Sequence, residues 1–190
     1  MIVVKVGGRL LSMDGALTRV AGAFSRLSPA RPLVVVPGGG VFADAVRQVD
    51  AVHRLSADAA HWMAVLAMDQ YAELLADSLP RAMRVESAAA IAAAHGAGAL
   101  PVLAPARWLR TVDVLPHSWE VSSDSIAAFL AGALGADGLL LIKPVGGAVA
   151  ALVDGYFARA RPMGVPAAVL GIDEIDRLDG ALAALMERHT

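Results

Sequence analysis

The stretch LVVVPGGGVFADAV, residues 33–46, decides the fold. Leu33 to Val36 is an apolar run too short for a helix, so it reads as a buried strand. Pro37 and the glycines Gly38, Gly39 and Gly40 end it, and from about Val41 to Val52 the apolar residues recur at helical spacing. The N-terminus repeats the unit: Ile2 to Val6 is a β-branched run ending on Gly7 and Gly8, followed by a helical stretch from about Asp14 to Leu27. Two strand–glycine–helix units with fully apolar strands predict an α/β fold whose mostly parallel sheet is covered on both faces.

The pattern continues along the chain. Ser56 is placed to cap a long helix to about Ser78, stopped by Pro80. Arg81 to Val85 reads as a short strand, Ser87 to His95 as an Ala-rich helix and Leu100 to Leu103 as a strand. Ser123 is expected to cap a helix from Asp124 to Leu134, which leads into the clearest buried strand, Leu139 to Ile142. Beyond Gly147 the reading is a short helix around Gly155 to Arg161, a strand Ala167 to Leu170 and a closing helix to about Arg188. There is no internal repeat, linker or low-complexity tail.

Composition narrows the function classes. The chain has 190 residues, 57% hydrophobic and 18% charged, enough apolar material for one compact domain and too much for disorder. Sixteen basic and 18 acidic side chains leave a net charge of −2, which provides no electrostatic footprint for nucleic acid. No apolar stretch reaches the ~18 to 20 residues a membrane helix needs, and the first residues lack a signal-peptide pattern. With no cysteine there is no disulfide framework and no thiolate zinc site, which fits a cytoplasmic protein. The apolar content also points to self-association through a helix face, a homo-oligomer.

In open parallel sheets ligands bind beyond the carboxyl ends of the strands. Three loops there are unusual: Lys5 to Gly8, Gly38 to Gly40, and the segment after Ile142 with Lys143, Gly146 and Gly147. Consecutive glycines let backbone N–H groups approach an anion, and a following helix adds its positive dipole end, so phosphate is the natural guest. Neither the P-loop spacing nor the dinucleotide fingerprint is present. Any one loop alone reads equally as a tight turn. Lys5 and Lys143 are the only lysines; the other fourteen basic side chains are arginine. A compact ammonium can follow a phosphoryl group in flight, although two survivors of a compositional bias would look the same.

The segments K-V-G-G at the N-terminus, V-P-G-G-G-V-F-A-D at 36–44 and H-S-W-E-V-S-S-D-S at 117–125 resemble the amino acid kinase superfamily, which includes acetylglutamate, aspartate, uridylate and isopentenyl phosphate kinases. His61, Trp62, Met63 and Ala64, the run Ala67 to Tyr71, and His117, Ser118 and Trp119 resemble its short branch in methanofuran biosynthesis, the aminomethylfuranmethyl phosphate kinases. The resemblance spans most of residues 1–142. It implies a three-layer αβα sandwich, with an acceptor-binding part over about 1–115 and a nucleotide-binding part over about 116–190. It also implies ATP and Mg2+ as cofactors and a small phosphate monoester as acceptor, with no nucleic-acid or membrane partner.

Carried onto this chain, the resemblance makes Lys5, Asp124 and Lys143 the catalytic group, with Asp124 orienting the lysines. Gly7, Gly8, Ser123, Lys143, Gly146 and Gly147 fall to the nucleotide, and Gly38, Gly39 and Gly40 to the acceptor; Arg47, one turn into the helix after the second glycine loop, and His117 are nominated beside them because an acceptor that is itself a phosphate monoester needs a cationic clamp, and no protein metal ligand is expected. Asp124 reads alternatively as a first-turn helix carboxylate, Arg47 as a solvated helix position and His117 as a loop residue. Met63, Met68 and Trp62 read as core or pocket wall. Two departures stand out. Arg9 replaces the usual hydroxyl residue after the first Gly-Gly, and K-P-V-G-G at 143–147 replaces an acidic motif, with no lysine downstream. Either Lys143 or the pair Arg159 and Arg161 supplies that charge, or nucleotide binding differs. The competing readings are a kinase of another acceptor, such as an isoprenoid phosphate, a nucleotide or a carboxylate, and a noncatalytic ligand-binding subunit with a decayed nucleotide site.

Overall fold

The computed structural model describes residues 1–187. In chain order, β1 (Ile2–Val6) leads through a 3-10 turn (Gly8–Ser12) to α1 (Ala16–Ser25), and β2 (Leu33–Pro37) leads to α2 (Gly40–His53) and α3 (Ala57–Ser78). Next come β3 (Ala82–Val85) and α4 (Ala88–Gly96), then β4 (Leu100–Leu103) with α5 (Ala106–Val112) and α6 (Ser123–Ala133). After β5 (Gly138–Lys143) two four-residue helices, α7 (Val149–Leu152) and α8 (Phe157–Ala160), precede β6 (Ala167–Gly171), a second 3-10 turn (Ile172–Arg177) and α9 (Leu178–Glu187).

The strands predicted from apolar runs are all present, and all pair in parallel, in the order β3-β4-β2-β1-β5-β6. Side-chain alternation divides the core into two layers. Val4, Val6, Leu140 and Ile142 pack with Val20 and Phe24 of α1, Tyr71 of α3 and Leu182 of α9. Val3, Val36, Leu139 and Leu141 pack on the opposite face with Ile91 of α4, Leu109 of α5, and Ile126 and Leu130 of α6. The result is the expected three-layer αβα sandwich. Among the described residues no helix is long and apolar enough to cross a membrane.

Two local readings need correction. Ser122, not Ser123, caps α6: its hydroxyl accepts from the Asp124 N–H at 3.2 Å. Helix α5 was not predicted because its start is secured from elsewhere in the chain, the Asp69 carboxylate of α3 accepting the Ala106 N–H at 3.0 Å. The expected helix end at Arg188 lies outside the described residues.

The strand order places β1 centrally, with β2 on one side and β5 on the other, so the chain reverses direction across the sheet beside the carboxyl end of β1. Ligand crevices of open α/β sheets form at such a point. Here the loops after β1 and β2 are pressed together. A Cβ on Gly8 would lie 2.2 Å from the Gly40 nitrogen, and one on Gly38 would lie 2.4 Å from the Gly8 nitrogen. Only glycine permits that approach, because the obstructing atoms are backbone. Gly8→Ala is therefore expected to cost about 1 to 3 kcal/mol and several degrees of thermal midpoint. Gly96→Ala, where a Cβ meets open space at the end of α4, is expected to leave the midpoint unchanged or raise it. Thermal denaturation of the two variants checks the pair.

Candidate active site

Strand alternation determines where the two lysines point. Lys5 shares the parity of Val3, and Lys143 that of Leu139 and Leu141, so both side chains leave the sheet on the face that α6 covers. Ser122 starts α6 so that Asp124 falls in its first turn, above the ends of β1 and β5. The Lys5 ammonium pairs with Asp124 Oδ1 at 2.9 Å, and the Lys143 ammonium donates to Asp124 Oδ2 at 2.5 Å. Lys143 also donates to the Leu152 carbonyl at 2.5 Å, which ties the segment after β5 back over the site. The three side chains expected to act together are thus joined through one carboxylate. Arg159 instead lies 5.7 Å from the Tyr156 ring, and Arg161 donates to the Val165 carbonyl, so the base at this centre is Lys143.

The group is buried: the side chains of Lys5 and Asp124 are 5% and 7% exposed. Burial is the largest influence on Lys5 and lowers its pKa; attraction to Asp124 opposes this, Lys143 adds to it, and the net shift is downward. Burial pushes the Asp124 carboxyl upward, but the two adjacent ammoniums more than offset this and hold it below the ordinary carboxylate value. The two ammoniums share this one carboxylate, and the Asp154 carboxylate close by also attracts Lys5.

Asp154 completes the centre and was missed by the sequence reading. Its carboxylate accepts from the Ser122 hydroxyl at 2.5 Å, from the Ser125 hydroxyl, and from the N–H groups of Ser125 at 3.2 Å and Tyr156 at 3.0 Å. It therefore binds the segment after β5 to the start of α6, the turn that carries Asp124. The only local hint was an Asp–Gly pair, Asp154 and Gly155, in a stretch read as a short helix.

A cavity of about 950 Å3 opens from this centre and extends along α2 and α3. Lys5, Gly7, Gly8, Gly39, Gly40, Arg47, His117, Ser123, Asp124 and Lys143 all line it, as does Arg9. Gly8 and Gly40 begin the 3-10 turn and α2, where the first N–H groups have no partner within the helix. The Gly7 N–H is spent on the Ile142 carbonyl at 2.8 Å and the Gly38 N–H on the Val6 carbonyl at 2.9 Å, so these two glycines shape the loops rather than donating to an anion. Gly146 and Gly147 do not line the cavity: Gly146 is pressed against Gly171 at the end of β6, where its Cβ would lie 3.1 Å from the Gly171 nitrogen.

The acceptor side is held by a strap, residues 113–122, between α5 and α6. Trp119 donates to Asp50 of α2 at 2.8 Å, and its ring lies 4.2 Å beneath the Arg47 guanidinium. His117 is not free to bind a phosphate as expected. One ring nitrogen lies 2.6 Å from Asp58 and the other 2.8 Å from Asp113, so both are committed, the first fastening the strap to α3 and the second to its own start. The hydrogen bond to Asp58 is the main reason its pKa is raised.

A model of the amino acid kinase family matches residues 1–149. The chain belongs to the amino acid kinase family. It is 26% identical over 158 residues to the [5-(aminomethyl)furan-3-yl]methyl phosphate kinase of Methanocaldococcus jannaschii, covering 77% of this chain and 67% of that protein. Among solved structures it is similar in fold to the UMP kinase of Ureaplasma parvum, with a TM-score of 0.66, 16% identity and coverage of 96% and 94%. The uridylate kinase of Archaeoglobus fulgidus gives 0.58 and 20%, and the match covers 77% of this chain but 65% of that one. The expectation of an ATP-dependent kinase agrees with the family and with these relatives.

Removing the shared carboxylate provides a test of the charge balance. In wild type the Asp124 contribution is present above the ordinary carboxylate pKa and is lost as pH falls through its lower folded value. In Asp124→Asn the lysines face each other unpaired, and the Lys5 pKa falls further in the folded state only. The unfolded chain then binds more protons, so stability rises with pH. The variant is expected to lose about 3 kcal/mol near neutral pH and to regain part of it at alkaline pH. Denaturant unfolding across that range measures both.

Proposed function

We propose that this protein is an ATP- and magnesium-dependent kinase that phosphorylates a small phosphate monoester, [5-(aminomethyl)furan-3-yl]methyl phosphate or a close analogue, to its diphosphate, for a methanofuran-type one-carbon cofactor. The observation that carries this reading is the pair of ammonium groups held on one buried carboxylate at the mouth of a cavity between two glycine loops. Phosphoryl transfer requires little covalent help from a protein. It requires alignment and positive charge where negative charge is spread over the moving group.

In this reading an oxygen of the acceptor phosphate attacks the terminal phosphorus of ATP, the bond to the bridging oxygen breaks, and ADP leaves. Lys5 and Lys143 follow the transferred group, Asp124 holds them in place, and the free N–H groups of Gly8 and Gly40 receive phosphate oxygens. Arg9 and Arg47 provide the bidentate cations that a doubly charged acceptor needs. Among the described residues no group of three or more His, Asp or Glu side chains could cage a metal ion. Of the five carboxylates that line the cavity, Asp44, Asp50, Glu120, Asp124 and Asp154, the two at the lysine centre, Asp124 and Asp154, are already occupied by lysines, hydroxyls and N–H groups. This fits Mg2+ arriving on the nucleotide, held mainly by phosphate oxygens and water, where it would neutralise charge on the β- and γ-phosphates.

The protein with ATP, magnesium and the aminomethylfuran phosphate is expected to form ADP and a diphosphate, followed by coupled ADP assay and phosphorus NMR. Isopentenyl phosphate, UMP and an amino-acid carboxylate are expected to turn over poorly. Lys5→Met is expected to lower kcat about a hundredfold or more. Undiminished turnover in that variant would remove Lys5 from its role, and failure of ATP to bind by calorimetry would favour a noncatalytic ligand-binding subunit.

A further inference from the structure

The cavity contains a histidine that nothing so far has used. His61, in the second turn of α3, is 9% exposed and lines the cavity, yet its ring nitrogens have no hydrogen-bond partner among the described residues. Its ring stacks on that of His117, with centroids 4.1 Å apart and planes 15° from parallel, and Trp62 meets it edge-on at 4.8 Å. With no partner in the protein, these nitrogens open onto the cavity rather than into packed core, so the partner available to them there is solvent or a bound ligand.

The surroundings determine what that partner can be. The neighbouring cavity wall along α3 is apolar, formed by Ala57, Ala60, Ala64, Val65 and Met68. Charged groups face His61 from three sides: Asp58 on its own helix, His117 and Asp113 on the strap, and Arg110 on α5. His117 is held protonated by its two carboxylates, so an imidazolium lies flat against His61. Burial and that neighbouring charge depress His61 to about 4, leaving it a neutral imidazole with one N–H donor and one acceptor lone pair. A neutral ring offers no charge to a phosphate. The cations Lys5, Arg9 and Arg47 that line the same cavity do.

We propose that His61 reads the end of the acceptor remote from its phosphate, making a single hydrogen bond to one heteroatom of a compact, mostly apolar acceptor body that lies against α3. This rests on the kinase reading above and extends it. The acceptor enters with its phosphate toward Lys5 and its body toward His61. Selection favours a small flat monoester over a nucleotide, whose base would demand several hydrogen bonds from a wall of alanines. His117 acts one step removed, as a positioning residue that keeps its stacked neighbour uncharged while it fastens the strap.

The test uses the whole chain with 15N-labelled histidine. Nitrogen shifts followed against pH are expected to show His61 neutral down to about pH 4 while His117 stays protonated above the ordinary histidine range. Adding the aminomethylfuran phosphate should move the His61 signals and spare those of His95, whose ring is bonded to the Leu33 carbonyl. In turnover assays His61→Ala should raise the acceptor KM about tenfold with the ATP KM unchanged, and His61→Gln, which keeps a donor and an acceptor, should recover part of the loss. An unchanged acceptor KM in His61→Ala, or His61 signals that stay still while the acceptor turns over, overturns this inference and leaves the kinase reading intact. A wild-type protein inactive on every acceptor overturns the kinase reading; His61 signals moved by an acceptor would then still support this inference, and unmoved signals would overturn both.

Discussion

One carboxylate between two ammoniums is the constraint on which the rest of the molecule depends. Asp124 must stand where the side chains from the ends of β1 and β5 converge, and several features serve that placement. The parallel register of β1 with β5, Val6 beside Ile142, brings Lys5 and Lys143 to neighbouring strand ends. The Ser122 cap sets the first turn of α6, and Asp154 secures that cap from a segment 32 residues further along the chain. Taking three charges out of water is costly, and their mutual attraction does not make such a cluster a strong source of stability. Its value lies in cations that are already aligned, so little reorganisation is required when a phosphoryl group arrives.

Much of this was legible in the chain because it depends on local signals. Short runs set off by glycine or proline identified every strand, β1 and β2 most plainly because each runs into consecutive glycines, and two lysines among sixteen basic side chains stood out by rarity, each at a strand end. Strand parity then carried them to one face without further information. What escaped notice depends on partners distant in sequence. Asp154 reads as an ordinary turn residue until Ser122 and Ser125 are placed beside it. Helix α5 begins on a carboxylate borrowed from α3, so no local cap announces it.

The histidines show the same limit in a sharper form. His117 and His61 are indistinguishable as residue types, and the motif that drew attention to His117 carried no information about its neighbours. In the folded chain Asp58 and Asp113 occupy both nitrogens of His117, while His61, inside an apolar helical run, is left facing the cavity without a partner. The distinction between a fastening and a reading histidine is therefore tertiary. The glycines divide similarly: Gly7 and Gly38 spend their N–H groups on strand carbonyls, and only position along the turn separates them from Gly8 and Gly40.

The scarcity of lysine has a practical corollary. Both lysines sit in the same buried cluster, and the exposed basic side chains are arginines. Reagents that acylate amines consequently meet only one other target, the α-amine of Met1, and labelling of the two side chains gauges how open that cluster is. Occupancy of the cavity becomes readable by mass spectrometry as protection of two peptides, with no need for a chromogenic substrate or a radiolabel.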